Sequence, residues 1–375
     1  MPRCIYTLRE FKTANAEHIL QNFLGARWAS REIVCNEQQA VFGTTIDCAL
    51  EKALRPIRSL FGTQGGRRDP GPVLRNLQGS DGELYDIEPG FRARLKKPIV
   101  KILETPEGRR RAQLLLGDLK HLEWALSILR REVPNLLVDV DALRGRSEAV
   151  PLPESTVRLD LHLGGEDYFR GMLKSCFNLL AVKYLNIAYE PCFDSVRNSI
   201  LDGGESFQQF IRYISTSAPL AIPRLGPIDH AVLIVSRGTS VEGVVQYFGD
   251  IVHAFQLTNS YTGIPIRCGY IVDPLRVVQP AETREPEFNE NSIPVYDEQP
   301  TKPDYAFLAT LRERSIRILR VFQHEQMMKR MIEESYWEVL APYKGQELPS
   351  DVASQMARRL VEKLASLMRP ADLVT

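Results

Sequence analysis

Apolar positions recur at helical spacing from Ile46 to Phe61, through Leu50, Ala53, Leu54, Ile57 and Leu60, and predict a helix that Pro56 should kink or end. The next stretch, 62–90, carries Gly65-Gly66, Asp69-Pro70-Gly71-Pro72, Gly79, Asp81-Gly82 and Pro89-Gly90, which is the composition of loops and hairpins. A second helical pattern runs from Arg110 to Val133, with Ala112, Leu115, Leu116, Leu119, Leu122, Ala125, Leu126 and Leu129 on one face and Pro134 closing it. The stretch from Val138 to Ser155, with Gly145, Pro151 and Pro153, reads as a connection and places the main domain boundary near 150.

Strict alternation from Val157 to Leu163 predicts a half-buried strand, whose His162 shares a solvated face with Arg158 and Asp160. A helix over Asp167–Tyr189 follows, with Phe169, Met172, Leu173, Cys176, Phe177, Leu180, Ala181, Tyr184 and Leu185 as its buried stripe. A short helix from Phe193 to Ile200 ends at Gly203-Gly204. Strands are expected over 231–235, over 244–257 with a break at Gly249-Asp250, and over 267–272. His253 shares its strand face with Ile251 and Phe255, which marks a structural histidine. The acidic, proline-rich 280–303 reads as a surface connector, and helices return over Tyr305–Leu340 and Asp351–Met368. The fold class is therefore α+β, with a small module at 1–62, a basic loop-rich and helical connecting region at 63–150, and a mixed domain at 151–375 that ends in helices.

Chemistry concentrates between Asn15 and Asp47. Glu17 and His18 stand side by side at the start of a short apolar segment. A second apolar run, Glu32-Ile33-Val34, is closed by Cys35-Asn36 and followed by the helix-compatible Glu37-Gln38-Gln39, giving the order strand, loop, strand, helix. A carboxylate, an imidazole and an amide so placed suit phosphodiester hydrolysis: the histidine deprotonates water while an oxygen-liganded cation holds the phosphate. Oxygen ligands favour a hard ion such as Mg2+. The plainer reading is a Glu-His pair at the end of a surface strand.

This stretch resembles an HNH endonuclease module of the ββα-metal type, in the subgroup with C-x-x-C, then E-H-I, then C-x-x-C-N-x-x-F-G-x-x-I-D. The matching residues are Cys4-Ile5-Tyr6-Thr7, Glu17-His18-Ile19, and the run from Cys35 to Asp47 that contains Asn36, Phe42-Gly43 and Ile46-Asp47. The resemblance covers about the first 60 residues. It implies a catalytic set of His18, Glu17 and Gln39, with His18 as general base and Gln39 at the place of the signature asparagine. It further implies Mg2+ or Mn2+ near Glu17, Gln39 and Asp47, and a DNA substrate, or RNA in its place. Such proteins often serve restriction or anti-phage defence. Thr7 and Gln38 stand where two of the four zinc cysteines would be, leaving Cys4 and Cys35. Two thiolates do not close a tetrahedral site, so no structural zinc is expected. Packing of Ile19, Phe23, Leu24, Trp28, Ile33, Val34, Phe42 and Ile46 should hold the module instead. The second half, with its long helix, its Phe193-Asp194-Ser195-Val196-Arg197 segment and its closing sheet, also resembles what accompanies such modules.

Composition changes the picture only locally. The 375 residues carry 47 Lys+Arg against 47 Asp+Glu, so global charge announces no nucleic-acid partner. Between Arg55 and Arg111, however, thirteen cations face seven acids. Arg67, Arg68, Arg92, Arg94, Lys96 and Lys97 are the expected phosphate contacts, the alternative being a solvated basic face. Gly65-Gly66-Arg67-Arg68 lacks the G-K-[ST] ending of a phosphate loop. No apolar run approaches the ~18 residues of a membrane span, no signal-peptide core is present, and the six cysteines lack disulfide-framework spacing, so a cytoplasmic protein is expected. Two functions follow from these readings. One is a metal-dependent endonuclease whose second half regulates, targets or oligomerises it. The other is an HNH-derived module that binds or senses nucleic acid, or acts through a protein partner, without full catalysis.

Overall fold

The computed structural model describes residues 1–66, 71–90, 92–104, 110–134, 137–145, 155–212, 222, 224–226, 228–249, 251–275, 286–288, 313, 320, 324, 327–340, 343, 347 and 349–368. They fall into two units, Met1–Arg314 and Ser315–Thr375, in an α+β fold.

In the first unit, strand β1 (Glu17–His18) pairs antiparallel with β2 (Ala29–Ser30), Glu17 opposite Ser30 and His18 opposite Ala29. Helix α1 (Asn36–Thr44) and helix α2 (Ile46–Phe61) follow, separated by Thr45. The expected helix is present in α1, but the second strand lies at Ala29–Ser30 and not at Glu32-Ile33-Val34, where the buried Ile33 and Val34 pack into the core without strand pairing. Ile19, Leu24, Ile33, Val34, Phe42 and Ile46 are buried as expected, while Phe23 and Trp28 are half-buried. Pro56 does not end α2, which continues to Phe61 and is capped by Gly62, whose φ of 64° suits a residue without a Cβ. Proline removes only the bond to the Lys52 carbonyl, and Lys52 lies on the exposed side of the helix, where the freed carbonyl is open to solvent.

The unit's core forms around helix α5 (Glu166–Lys183), which packs against α2 and against a five-stranded antiparallel sheet. The sheet holds β8 (Ile211–Arg212), β9 (His230–Arg237), β10 (Ser240–Tyr247), β11 (Ile251–Thr258) and β12 (Arg267–Val272), in the order β12-β9-β10-β11-β8. Two glycines allow the close packing. A Cβ on Gly171 would lie 3.2 Å from the Ile46 carbonyl oxygen, and one on Gly243 of β10 would lie 2.7 Å from Cys176 Sγ. Since α5 packs against both α2 and the sheet, residues 1–62 and the five-stranded sheet share one interior within the first unit.

Between these parts, β3 (Leu74–Gln78), β4 (Leu84–Glu88) and β5 (Arg92–Leu95) form one antiparallel sheet, and β6 (Ile99–Glu104) and β7 (Arg110–Leu115) form a separate hairpin backed by helix α3 (Leu122–Glu132). The helix expected from Arg110 thus begins only at Leu122. Ala112 and Leu114 also satisfy a period of two, and pairing with β6 selects that alternative. The strand expected over Val157–Leu163 reduces to one bridge between Val157 and Gly79. A short helix, α4 (Val140–Gly145), lies within the predicted connection. The long helix of the second half breaks at Tyr184 before α6 (Leu185–Ala188), and α7 (Asp194–Asp202) follows.

The second unit contains helix α8 (327–340) and helix α9 (Val352–Met368). Arg359 pairs with Glu338 at 2.7 Å, and Lys363 with Glu334 at 3.2 Å and Glu338 at 2.9 Å. The connector predicted over 280–303 and the start of the helix predicted from Tyr305 lie largely outside the described residues. Among the described residues no helix is long and apolar enough to cross a membrane.

Candidate functional site

Residues 170–181 of α5 are all buried, so each polar side chain among them must find a partner inside the protein. Gly171, Lys174, Ser175 and Asn178 fall at i, i+3, i+4 and i+7, one face of the helix, and there they meet the N-terminal module. Lys174 Nζ lies 2.7 Å from Glu17 Oε1 and 2.7 Å from Asp47 Oδ2. Glu17 arrives from β1, where alternation turns it inward and leaves His18 half-buried, and Asp47 from the first turn of α2.

A second layer of hydrogen bonds fixes these three groups. The Asn178 amide donates to Glu17 Oε1 and to the His18 carbonyl, both at 3.1 Å, and accepts from the Tyr6 hydroxyl at 2.8 Å. The Gln21 amide donates to Asp47 Oδ1 at 3.2 Å and to the Gly171 carbonyl at 3.1 Å, while its oxygen accepts from Ser175 and Tyr247. The ammonium also sits 5.0 Å from the centre of the Phe42 ring, a cation–π contact. Burial alone would strip the proton from Lys174, but Asp47 and Glu17 outweigh it and hold the lysine pKa above its ordinary value. Burial pushes the Tyr6 and Tyr247 hydroxyls well above the usual phenol range, so both remain donors.

Two of the predicted metal ligands, Glu17 and Asp47, are thus brought together, but on an ammonium. Gln39 serves another purpose. Its amide nitrogen donates to the Asn15 and Val34 carbonyls at 2.9 and 3.0 Å, and Asn36 Oδ1 accepts from the Asn15 N–H at 2.7 Å. Those bonds moor the segment before β1 to the start of α1. A Mg2+ or Mn2+ ion needs an open point shared by several oxygens. Here Nζ fills the point shared by Glu17 and Asp47, so these side chains as placed do not fit a divalent cation. Among the described residues no three His, Cys, Asp or Glu side chains are grouped so as to hold a metal ion.

At the positions that the resemblance assigned to zinc, Cys4 and Cys35 are buried free thiols. Burial raises the Cys4 thiol, but backbone N–H groups of Thr7 and Cys35 outweigh it and lower its pKa, whereas burial raises Cys35. Gln38 is buried in α1, and the buried Thr7 hydroxyl has no hydrogen-bond partner among the described residues. Arg197 of α7 donates to the Ile5 carbonyl at 2.6 Å and the Ala188 carbonyl at 2.8 Å, tying the first turn of the chain to the second half.

The expected phosphate contacts divide. Arg67 and Arg68 lie outside the described residues. Arg92 and Arg94 face Glu88 at 4.0 and 3.2 Å, and Arg94 also faces Asp118 at 3.6 Å. Lys96 hydrogen-bonds the Asn76 side chain, and Lys97 is exposed. Sequence reading missed Lys174, Asn178, Gln21, Tyr6 and Tyr247. The available signal was the polar Lys174-Ser175 and Asn178 set at helical spacing within an otherwise apolar helix.

No family model, no curated protein and no solved structure matches the chain.

Proposed function

We propose that this chain is an HNH-derived nucleic-acid-binding or sensing protein in which a lysine ammonium stands where a nuclease would hold its catalytic cation. The observation that carries the reading is the position of Lys174 Nζ, 2.7 Å from both Glu17 and Asp47. An ammonium neutralises the two carboxylates as a cation would, but it offers no vacant coordination position for a phosphate oxygen and does not lower the pKa of a bound water. Lys174 is 2 % and Glu17 8 % exposed, which keeps their contact from a bulky phosphodiester, and of the three groups only Asp47 is half-buried. The retained module then serves as a scaffold. Its strands and helices present outward surfaces to DNA, or to RNA in its place, and the second unit is available to a protein partner or a second copy.

A second reading is favoured by one observation. His18 ends β1, is half-buried, and stands in the strand, strand, helix order of the nuclease resemblance. In that reading the chain is a metal-dependent endonuclease with His18 as general base, acting in defence against foreign DNA. Incubation of the full chain with supercoiled plasmid and Mg2+ or Mn2+, with and without EDTA, separates the two when run beside a gel-shift assay. Binding without EDTA-sensitive nicking supports the proposal. Nicking that EDTA and His18→Ala both abolish overturns it in favour of the nuclease.

A further inference from the structure

The β6–β7 hairpin has two unlike faces. Val100, Ile102 and Leu114 pack against Leu122, Leu126 and Leu129 of α3, so one face is the roof of a small core. The register sets Ile99 opposite Leu115, Lys101 opposite Gln113 and Leu103 opposite Arg111, and alternation puts these six residues on the other face. Lys101, Leu103, Arg111 and Gln113 are exposed there, and neither cation has an ion-pair partner among the described residues. The hairpin's described acid, Glu104, stands opposite Arg110, belongs by alternation to the α3 side and pairs with Arg110 at 3.9 Å. Among the described residues the outer face therefore carries two cations, an amide and three apolar side chains, of which Leu103 is exposed and Ile99 and Leu115 are half-buried, with no carboxylate. The cations of β5 differ from these in being held by Glu88 and Asp118.

From this arrangement we infer that the outer face of the β6–β7 hairpin is the nucleic-acid-docking surface, with duplex DNA as its occupant. The inference rests on the nucleic-acid-binding reading above and assigns that reading a place. Lys101 and Arg111 supply charge for phosphates, Gln113 can donate and accept at a base edge, and Leu103 offers an apolar contact to a thymine methyl. A two-stranded ribbon has the width that the major groove of B-DNA admits.

Fluorescence anisotropy with a labelled duplex at several salt concentrations tests this on the full chain. The reference is wild type; the variants are Lys101→Glu/Arg111→Glu, the milder Lys101→Ala/Arg111→Ala, and Arg158→Ala, whose guanidinium pairs with Asp160 at 3.0 Å, as a paired-cation control, each checked for native circular dichroism. The alanine pair should weaken binding about tenfold or more and reduce the log–log salt slope by roughly two, the value expected for two lost phosphate contacts. Arg158→Ala should change affinity less than about threefold. Wild-type binding that the Lys101/Arg111 variants leave unchanged would overturn the assignment of the surface while the nucleic-acid reading stands. Failure of wild type to bind duplex would remove this proposal, and binding of single strands or RNA alone would confine the loss to the duplex assignment.

Discussion

Lys174 of α5 and Asp47 of α2 meet at 2.7 Å although 127 residues separate them along the chain. The contact joins the N-terminal module to the central helix of the second half. Removing one partner of a buried pair leaves an uncompensated charge, which typically costs about 3–5 kcal/mol. Lys174→Ala should therefore destabilise the first unit by about that much in urea unfolding. The combined change Lys174→Met, Glu17→Gln and Asp47→Asn removes charge from all three and should recover much of the loss. A Lys174→Ala protein as stable as wild type would show that the ion pair does not close the interior.

The half-buried imidazole of His18 gives a second prediction. Under the proposed function, His18→Ala leaves nucleic-acid affinity within about threefold and removes no metal-dependent cleavage. In a nuclease the same change would lower the cleavage rate by about 10²- to 10⁴-fold. Plasmid nicking followed by gel electrophoresis separates these outcomes.

Cys4 and Cys35 lead to a prediction on metal content. Two buried free thiols, with Thr7 and Gln38 each three residues further along the chain, do not complete a zinc site. Purified protein should carry well under one zinc per chain, and Cys4→Ser/Cys35→Ser should leave metal content unchanged. Stoichiometric zinc that disappears in the double variant would contradict this.

Stability should depend on pH through His230 and His253. Burial lowers His230 to about 3 and His253 to about 4, each from an ordinary value of 6.5. Below about pH 6.5 the unfolded chain therefore binds protons that the folded chain refuses, and folding stability rises with pH through this window. The contribution is fully present above the unfolded value and declines as the pH falls from about 6.5 toward 3. His253 also touches the Tyr168 hydroxyl at 3.2 Å, so His253→Gln keeps a polar partner while removing the titration. Urea midpoints measured from pH 7.5 to 4.5 should fall less steeply for that variant than for wild type. Parallel curves would show that His253 does not contribute to the pH dependence.

The main sheet strands, the α5 helix and helix α1 were legible because burial imposes an apolar pattern on them, whereas the second strand of the module was not, since the apolar Ile33-Val34 pair is buried without strand pairing and the pairing falls on Ala29–Ser30. The β6–β7 hairpin was not, since Ala112, Leu114, Leu115 and Leu116 satisfy both helical and strand periods, and only pairing across to Ile99–Glu104 decides between them. Glu17 and Asp47 were legible as a candidate pair. Their partner was not, because Lys174 is distant in sequence and its neighbours Met172, Leu173, Cys176 and Phe177 read simply as core. The continuity of α2 through Pro56 depended on solvent access at Lys52, which is a property of the folded helix.

Binding of Mn2+ to the full wild-type chain, followed by water-proton relaxation, tests the central claim most directly. If the Lys174 ammonium holds the place of the cation, wild type shows no stoichiometric Mn2+ site involving Glu17 or Asp47, and Glu17→Gln changes nothing in the titration. One Mn2+ bound per chain in wild type, lost in Glu17→Gln and in Asp47→Asn, would contradict the account and return these carboxylates to the role of metal ligands.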